Sequence, residues 1–318
     1  MTRATSRTLR AGVVGARRVR QGTGPFAARF LHEAGVRVTG VAGTSHATAE
    51  QAARELAEKG VAAAPYASAE AMLAAGDLDL LVIASPEASH GAILRAALDA
   101  RVHVLCEKPF LPGRPEDVEE ARRLVAGFAA AKRLLAVAAQ WKHALPAYMR
   151  LFPAVAPRAA TRFSMRSSPA EPGPSMLPVA MPHAFAVLDH LYGASDAPLY
   201  DLVVEAPSPG RMRVAFRHPG GAHGVACEVV LEAGAPPPRP FSIGFDGAVA
   251  AREVEPATYA MRLVDPASGR AVPLPDPYEA LVKDVVARAR RGPPFPPDPT
   301  IASGVARLAQ TLAVLGRG

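Results

Sequence analysis

An apolar run from Leu9 to Val14 ends at Gly15, and Gly22 and Gly24 follow after a segment that carries Arg17, Arg18 and Arg20. Glycine at a strand-to-helix turn lets the backbone bend sharply and come close to a bound phosphate, while the first N–H groups of the helix point at the anion. Gly15, Arg17, Gly22 and Gly24 are therefore candidate contacts to a phosphate-bearing ligand. The spacing is not G-x-G-x-x-G, because Arg17 stands at the second glycine position and the later glycines arrive several residues late. A glycine-rich turn in a domain that holds no ligand is the competing reading. Farther along, His183 offers a group that titrates near neutrality, as proton transfer to or from a carbinol or carbonyl oxygen requires. A packing role at the start of a helix is its alternative.

The elements that must position these residues alternate. Strand-like runs at 9–15, 36–42, 61–66, 78–84, 102–106 and 134–138 are separated by helical patterns at 25–34, 48–59, 68–75, 91–100 and 115–131. Nearly continuous apolar strands joined by helices predict a parallel, doubly wound sheet buried on both faces. In such a sheet a carboxylate at the end of the second strand holds the adenosine ribose of NAD. Here Gly43, Thr44 and Ser45 stand at that point, with no Asp or Glu from Ala34 to Ala49. A 2′-phosphate is not repelled, so NADP is the expected cofactor and NAD the alternative.

Beyond about residue 140 the pattern changes to period-two alternation, as in 159–166, 211–217, 225–232 and 260–264, before two helices at 278–291 and 301–315. An α+β domain with a largely antiparallel open sheet is expected there. With 318 residues the chain exceeds what one core organises, and two domains are expected, at 1–138 and 139–318. A hydrophobic fraction of 49% and a charged fraction of 20% are ordinary for a globular protein. The net charge of +7 is spread along the chain without a dense basic tract, so nucleic acid is not an expected partner. No run supplies the ~20 apolar residues of a membrane span, and no secretory signal is visible. Cys106 and Cys227 sit in apolar strand-like runs and read as free thiols, which fits a reducing cytoplasm; no metal site is expected.

The stretch from Leu80 through Ser85, Pro86 and Glu87 to His90, followed by Val102 through Glu107, Lys108 and Pro109, closely resembles the corresponding part of the Gfo/Idh/MocA oxidoreductases. The resemblance is strongest over residues 78–112. It implies that Lys108 lies beside a nicotinamide ring and helps bind or protonate a substrate oxygen, with a cis or rigid Pro109 turn fixing its direction. It also implies that Ser85, Pro86, His90, Glu107 and Lys108 join Gly15, Arg17, Gly22, Gly24, Gly43, Thr44 and Ser45 around the cofactor. The family motif D-x-G-x-H maps its histidine onto His183, ten residues before Gly193. Its aspartate falls on Val179, its glycine on Met181 and a later aspartate on Ala186, while Asp189 and His190 lie further along. Gln140, Trp141, Lys142 and His143 occupy the place of a family turn that lines the substrate pocket, although an amphipathic turn at a domain junction has the same appearance.

By resemblance, the expected activity is hydride transfer between NADP or NAD and a small polar substrate, sugar-like or cyclitol-like, in a cleft completed by the second domain. Lys108 and His183 are its expected catalytic pair, and Lys108, Gln140, Trp141, Lys142 and His183 its substrate contacts. Loss of the aspartate and of the regular glycine pattern favours a second reading, a catalytically silent nucleotide- or sugar-binding sensor of the same fold. Non-redox use of the cofactor is a third. The resemblance and the need to cover an apolar sheet face imply a homo-oligomer, a dimer or a tetramer.

Overall fold

In the computed structural model, which describes residues 8–17, 22–221 and 223–316, the chain divides into two compact units. The first comprises Met1–Leu111, Glu119–Ala138 and Glu279–Ile301, and the second Pro112–Val118, Ala139–Tyr278 and Ala302–Gly318. The boundary expected at 138 is thus one crossing among several, since residues 279–301 pack with the first unit.

The first unit alternates strand and helix: β1 (Arg10–Val14), α1 (Gly24–Glu33), β2 (Arg37–Ala42), α2 (His46–Ala57), β3 (Ala64–Tyr66), α3 (Ala69–Ala74), β4 (Leu80–Ile83), α4 (His90–Asp99), β5 (His103–Cys106), α5 (Pro115–Ala130) and β6 (Leu135–Val137). All strand pairings are parallel, in the order β3-β2-β1-β4-β5-β6. Leu80, Leu81, Val82 and Ile83 of β4 are fully buried, as a central strand with helices on both faces requires. Ser45 and Ser68 accept backbone N–H bonds at the starts of α2 and α3. The strand order reverses between β1 and β4, and the crevice beyond their carboxyl ends is where such a sheet takes a ligand.

The main segment of the second unit opens with a tight helical turn at Gln140–Ala144, then α6 (Leu145–Leu151), β7 (Arg162–Ser167) and α7 (Met176–Tyr192). Seven strands follow: β8 (Tyr200–Ser208), β9 (Arg211–His218), β10 (Val225–Glu232), β11 (Phe241–Phe245), β12 (Ala248–Val254), β13 (Met261–Val264) and β14 (Ala271–Leu274). Two helices, α8 (Pro277–Arg291) and α9 (Pro299–Leu315), close the chain. The sheet runs β14-β13-β12-β11-β7-β10-β9-β8, antiparallel except for β7 beside β10. Inward residues such as Phe163, Met165, Val214, Val229 and Ile243 share one core with Met176, Phe185 and Leu188 of α7.

One alternative reading and one expectation are corrected here. His183 does not start a helix; it is the eighth residue of α7, directly after Pro182, because the apolar run from Met176 extends the helix upstream of the proline. The open sheet face is not apolar either. Arg213 pairs with Glu228 and Glu205 across strands, Arg262 with Glu253 and Arg211 with Glu232, around small residues such as Ser164, Ala215 and Ala226. Period-two alternation identifies an outward face without saying that polar cross-strand pairs will furnish it.

Candidate functional site

The β1-to-α1 turn is built by contact distances rather than by motif spacing. Gly15 has a φ of +81°, and a Cβ there would lie 2.5 Å from the Ala84 oxygen at the end of β4. A Cβ on Gly24, the first residue of α1, would lie 2.2 Å from the Gly15 oxygen. Neither position admits a side chain, so the two glycines bring the strand end and the helix start together in the way a phosphate cradle needs. Thr23 makes no side-chain cap at the start of α1, and no acidic residue stands in its first turn. The amino end of this helix therefore suits the pyrophosphate of a dinucleotide. Arg17 and Gly22 are half-buried on either side of residues 18–21. Arg18 and Arg20 lie outside the described residues.

At the end of β2, Gly43 is required by the Thr48 side chain, whose Oγ1 would lie 2.3 Å from a Cβ. Thr44 is exposed, whereas the Ser45 hydroxyl accepts from the Thr48 backbone N–H in a reciprocal cap. The Ser45 side chain is thus largely committed to ending α2.

The loop after β5 carries the most distinctive chemistry. Lys108 is half-buried, and loss of hydration draws its ammonium below the ordinary lysine value, opposed by the nearby carboxylates Glu107 and Glu87. Glu107 accepts the Lys108 backbone N–H at 3.1 Å and the Thr23 hydroxyl at 2.6 Å. One carboxylate therefore ties the lysine loop to the start of α1. Thr23 was missed in the sequence because a residue between two turn glycines looks like spacer, and only the folded sheet brings it to Glu107, 84 positions away. The Lys108–Pro109 peptide is cis.

Of the turn after β4, the Ser85 hydroxyl stands 2.7 Å from that of Ser89, which itself donates to the Pro86 oxygen. Pro86 is exposed. His90 requires a correction: it was expected to contact the cofactor, but it is 1% exposed and both ring nitrogens face backbone carbonyls. Its ring braces the loops instead of presenting a group to a ligand.

In the second unit, Trp141, expected to line the substrate pocket, is 7% exposed and stacked on Phe241 at 3.6 Å between centroids. The indole meets the His183 ring edge-on at 6.5 Å, and the Arg252 guanidinium lies 5.5 Å from its centroid. An indole buries more apolar area than a surface turn permits, which is why the fold draws it inward. Phe241 and Arg252 were not singled out in the sequence, since nothing local links them to Trp141. Gln140, Lys142 and His143 are half-buried in the same turn. Val179 is 39% exposed one helical turn before His183, while Met181 is fully buried. Asp189 is unavailable to chemistry: it accepts from Ser303, His218 and Arg307 deep in the core.

Residues 9–139 match the family model GFO_IDH_MocA, described as an oxidoreductase family with an NAD-binding Rossmann fold. Residues 9–139 belong to the Gfo/Idh/MocA oxidoreductase family. No protein of curated function matches the chain in sequence. Among solved structures, UDP-N-acetylglucosamine 3-dehydrogenase GnnA from Acidithiobacillus ferrooxidans is similar at 22% identity and a TM-score of 0.70, covering 97% of each chain. A putative myo-inositol dehydrogenase from Sinorhizobium meliloti 1021 is 18% identical over 98% of each chain, with a TM-score of 0.67. Biliverdin reductase from Synechocystis sp. PCC 6803, in complex with biliverdin and NADP+, is 17% identical over 97% of this chain and 99% of its own, with a TM-score of 0.65. At these identities the likeness is one of fold, and it extends beyond the family match into the C-terminal sheet.

Proposed function

We propose that the chain is an NAD(P)-dependent oxidoreductase of the Gfo/Idh/MocA family, acting on a small polar molecule of the sugar or cyclitol class, with NADP as its preferred cofactor. The observation that carries this reading is Lys108: an ammonium dehydrated by burial at the carboxyl end of β5, on a loop tied by Glu107 to the start of α1. The cofactor supplies the hydride acceptor or donor; the chain supplies alignment and charge. Gly15 and Gly24 shape the turn for the pyrophosphate, with Arg17 and Gly22 beside it. The end of β2 at Gly43, Thr44 and Ser45 carries no carboxylate to repel a 2′-phosphate. Ser85 and Pro86 border the nicotinamide side, and Glu107 holds the lysine loop. Lys108 donates toward the substrate oxygen, and a lowered ammonium value eases proton release when that oxygen changes charge. His183 is the second proton-handling group, with Gln140 and Lys142 as substrate contacts and Trp141 as the wall behind His183.

The substrate class is supported by two of the structural relatives, whose names specify a UDP-amino-sugar and an inositol. The exposed Val179, standing where the family has aspartate, favours the silent-sensor alternative. Fluorescence titration with NADPH and NADH, followed by turnover on UDP-N-acetylglucosamine, myo-inositol and simple aldoses, separates the two. The expected result is NADPH binding with turnover on at least one of these, lowered about a hundredfold or more in K108M. Cofactor binding without turnover on any carbonyl or alcohol substrate supports the sensor, and no cofactor binding ends the oxidoreductase reading and leaves only a sugar-binding sensor. We further propose a homodimer formed through the open sheet face, working in a reducing cytoplasm that suits the buried free thiols Cys106 and Cys227.

A further inference from the structure

His90, the first residue of α4, sits between two backbone carbonyls. Its Nε2 is 2.8 Å from the Ser85 oxygen, and its Nδ1 is 3.0 Å from the Pro109 oxygen and 3.3 Å from that of Phe110. A peptide carbonyl can only accept. A neutral imidazole carries one N–H, so either contact, taken as the second, would set lone pair against lone pair inside the fold. A ring with hydrogen on both nitrogens satisfies both. The Cys106 thiol, 3.5 Å from Nδ1, competes for that nitrogen only as a donor, and the shorter contact to Pro109 opposes this. Burial and then the charge of Glu107 push the Cys106 thiol well above its ordinary value, so it brings no negative charge.

Glu87 precedes His90 by three residues, and Glu107 and Lys108 lie between Cys106 and Pro109 in the facing loop. Arg95, further along α4, is already paired with Glu120 of α5.

We propose that His90 is a positioning residue that carries hydrogen on both ring nitrogens and, by donating to the Ser85 and Pro109 carbonyls at once, fixes the loop that presents Lys108. Its bearing on catalysis rests on the role given to Lys108 above; the hydrogen-bond arrangement does not. The brace crosses from the turn after β4 to the loop after β5, the two segments that flank the ligand crevice of this sheet. It limits where Lys108 can point without His90 itself reaching a ligand.

Two measurements on the full chain test this. In nitrogen-15-labelled protein at neutral pH, the His90 ring, assigned through bonds, is expected to show hydrogen on both nitrogens. A ring nitrogen without bonded hydrogen overturns the proposal. In H90Q, an amide cannot donate in both directions along the same axis. Competitive acylation of Lys108 across pH, referenced to the exposed Lys59 and Lys132, is then expected to show a raised midpoint, because the ammonium gains water and loses a neighbouring cation. At mildly alkaline pH the Lys108 labelling rate should fall about threefold relative to the references. An unchanged midpoint in a folded H90Q protein overturns the positioning role, and if H90Q does not fold, the wild-type ring spectrum decides. NADPH titration beside these keeps the questions apart: a doubly protonated ring in a protein that binds no dinucleotide sustains the brace and removes the redox reading.

Discussion

Folding takes water from the Lys108 ammonium, and the carboxylates of Glu107 and Glu87 restore only part of what is lost. A charge held at such a position works against stability. K108M is therefore expected to fold more stably than the parent by about 1 kcal/mol in a denaturant titration, while losing turnover. His103 shows the same physics without the chemistry. Its Nδ1 accepts the Leu134 N–H, its ring packs edge-on against Phe295, and burial followed by the charge of Arg133 pulls it from 6.5 down to about 4, with Asp79 opposing. The unfolded chain thus takes up a proton that the native state refuses. Stability is full above 6.5 and is lost as pH falls from there toward about 4. H103N, whose amide oxygen can still accept from Leu134, should flatten the acid side of the melting-temperature profile; an unchanged slope would contradict this. Among single residues, Lys108 could be singled out only through the family resemblance of Glu107, Lys108 and Pro109 after an apolar strand. The role of Thr23 could not be, since its partner is set by the tertiary fold.

Elements tell a similar story of local and non-local information. The strands and helices of the first unit could be read from apolar runs and their punctuation, because its strands are nearly continuous apolar runs set between amphipathic helices. The β1-to-α1 turn defeated a fixed glycine spacing, yet its geometry is strict. G24A places a methyl group 2.2 Å from the Gly15 oxygen, so it should displace the helix start, cost about 2 kcal/mol or more and abolish NADPH binding by fluorescence. Retained affinity would show that this turn does not hold the phosphates. Helix α7 was the element least accessible to pattern reading: most of its faces are buried, so it lacks the amphipathic stripe that marks a surface helix, and Pro182 interrupts it. Its Asp189 anchors the second unit, with a 3.2 Å contact to His218 besides the pairing with Arg307. D189N leaves the Arg307 charge buried without its counterion and is expected to cost about 3–5 kcal/mol, measured by chemical denaturation. A loss below about 1 kcal/mol would mean that the cluster relaxes into water.

For the whole molecule, the outward face of the eight-stranded sheet bears on assembly. Its small central residues permit close approach, and its cross-strand ion pairs are the kind that salt weakens. If two copies pair there, light scattering should give twice the chain's 33.2 kDa. A monomer at all concentrations would remove the dimer proposal. The sequence could show that a sheet follows the nucleotide-binding half. It could not show what furnishes the outer face, because that depends on register between strands far apart in the chain.

The assignment of Glu279–Ile301 to the first unit also governs how this protein is made. During synthesis the strands of the first unit emerge with a segment of that unit's interior still unwritten, since Leu281, Val282, Val285 and Val286, all buried, are translated long after β6. A fragment stopped at residue 138 would leave the ribosome with the place of that segment bare and prone to self-association. Only a nascent chain extended past residue 301 holds everything its first half requires.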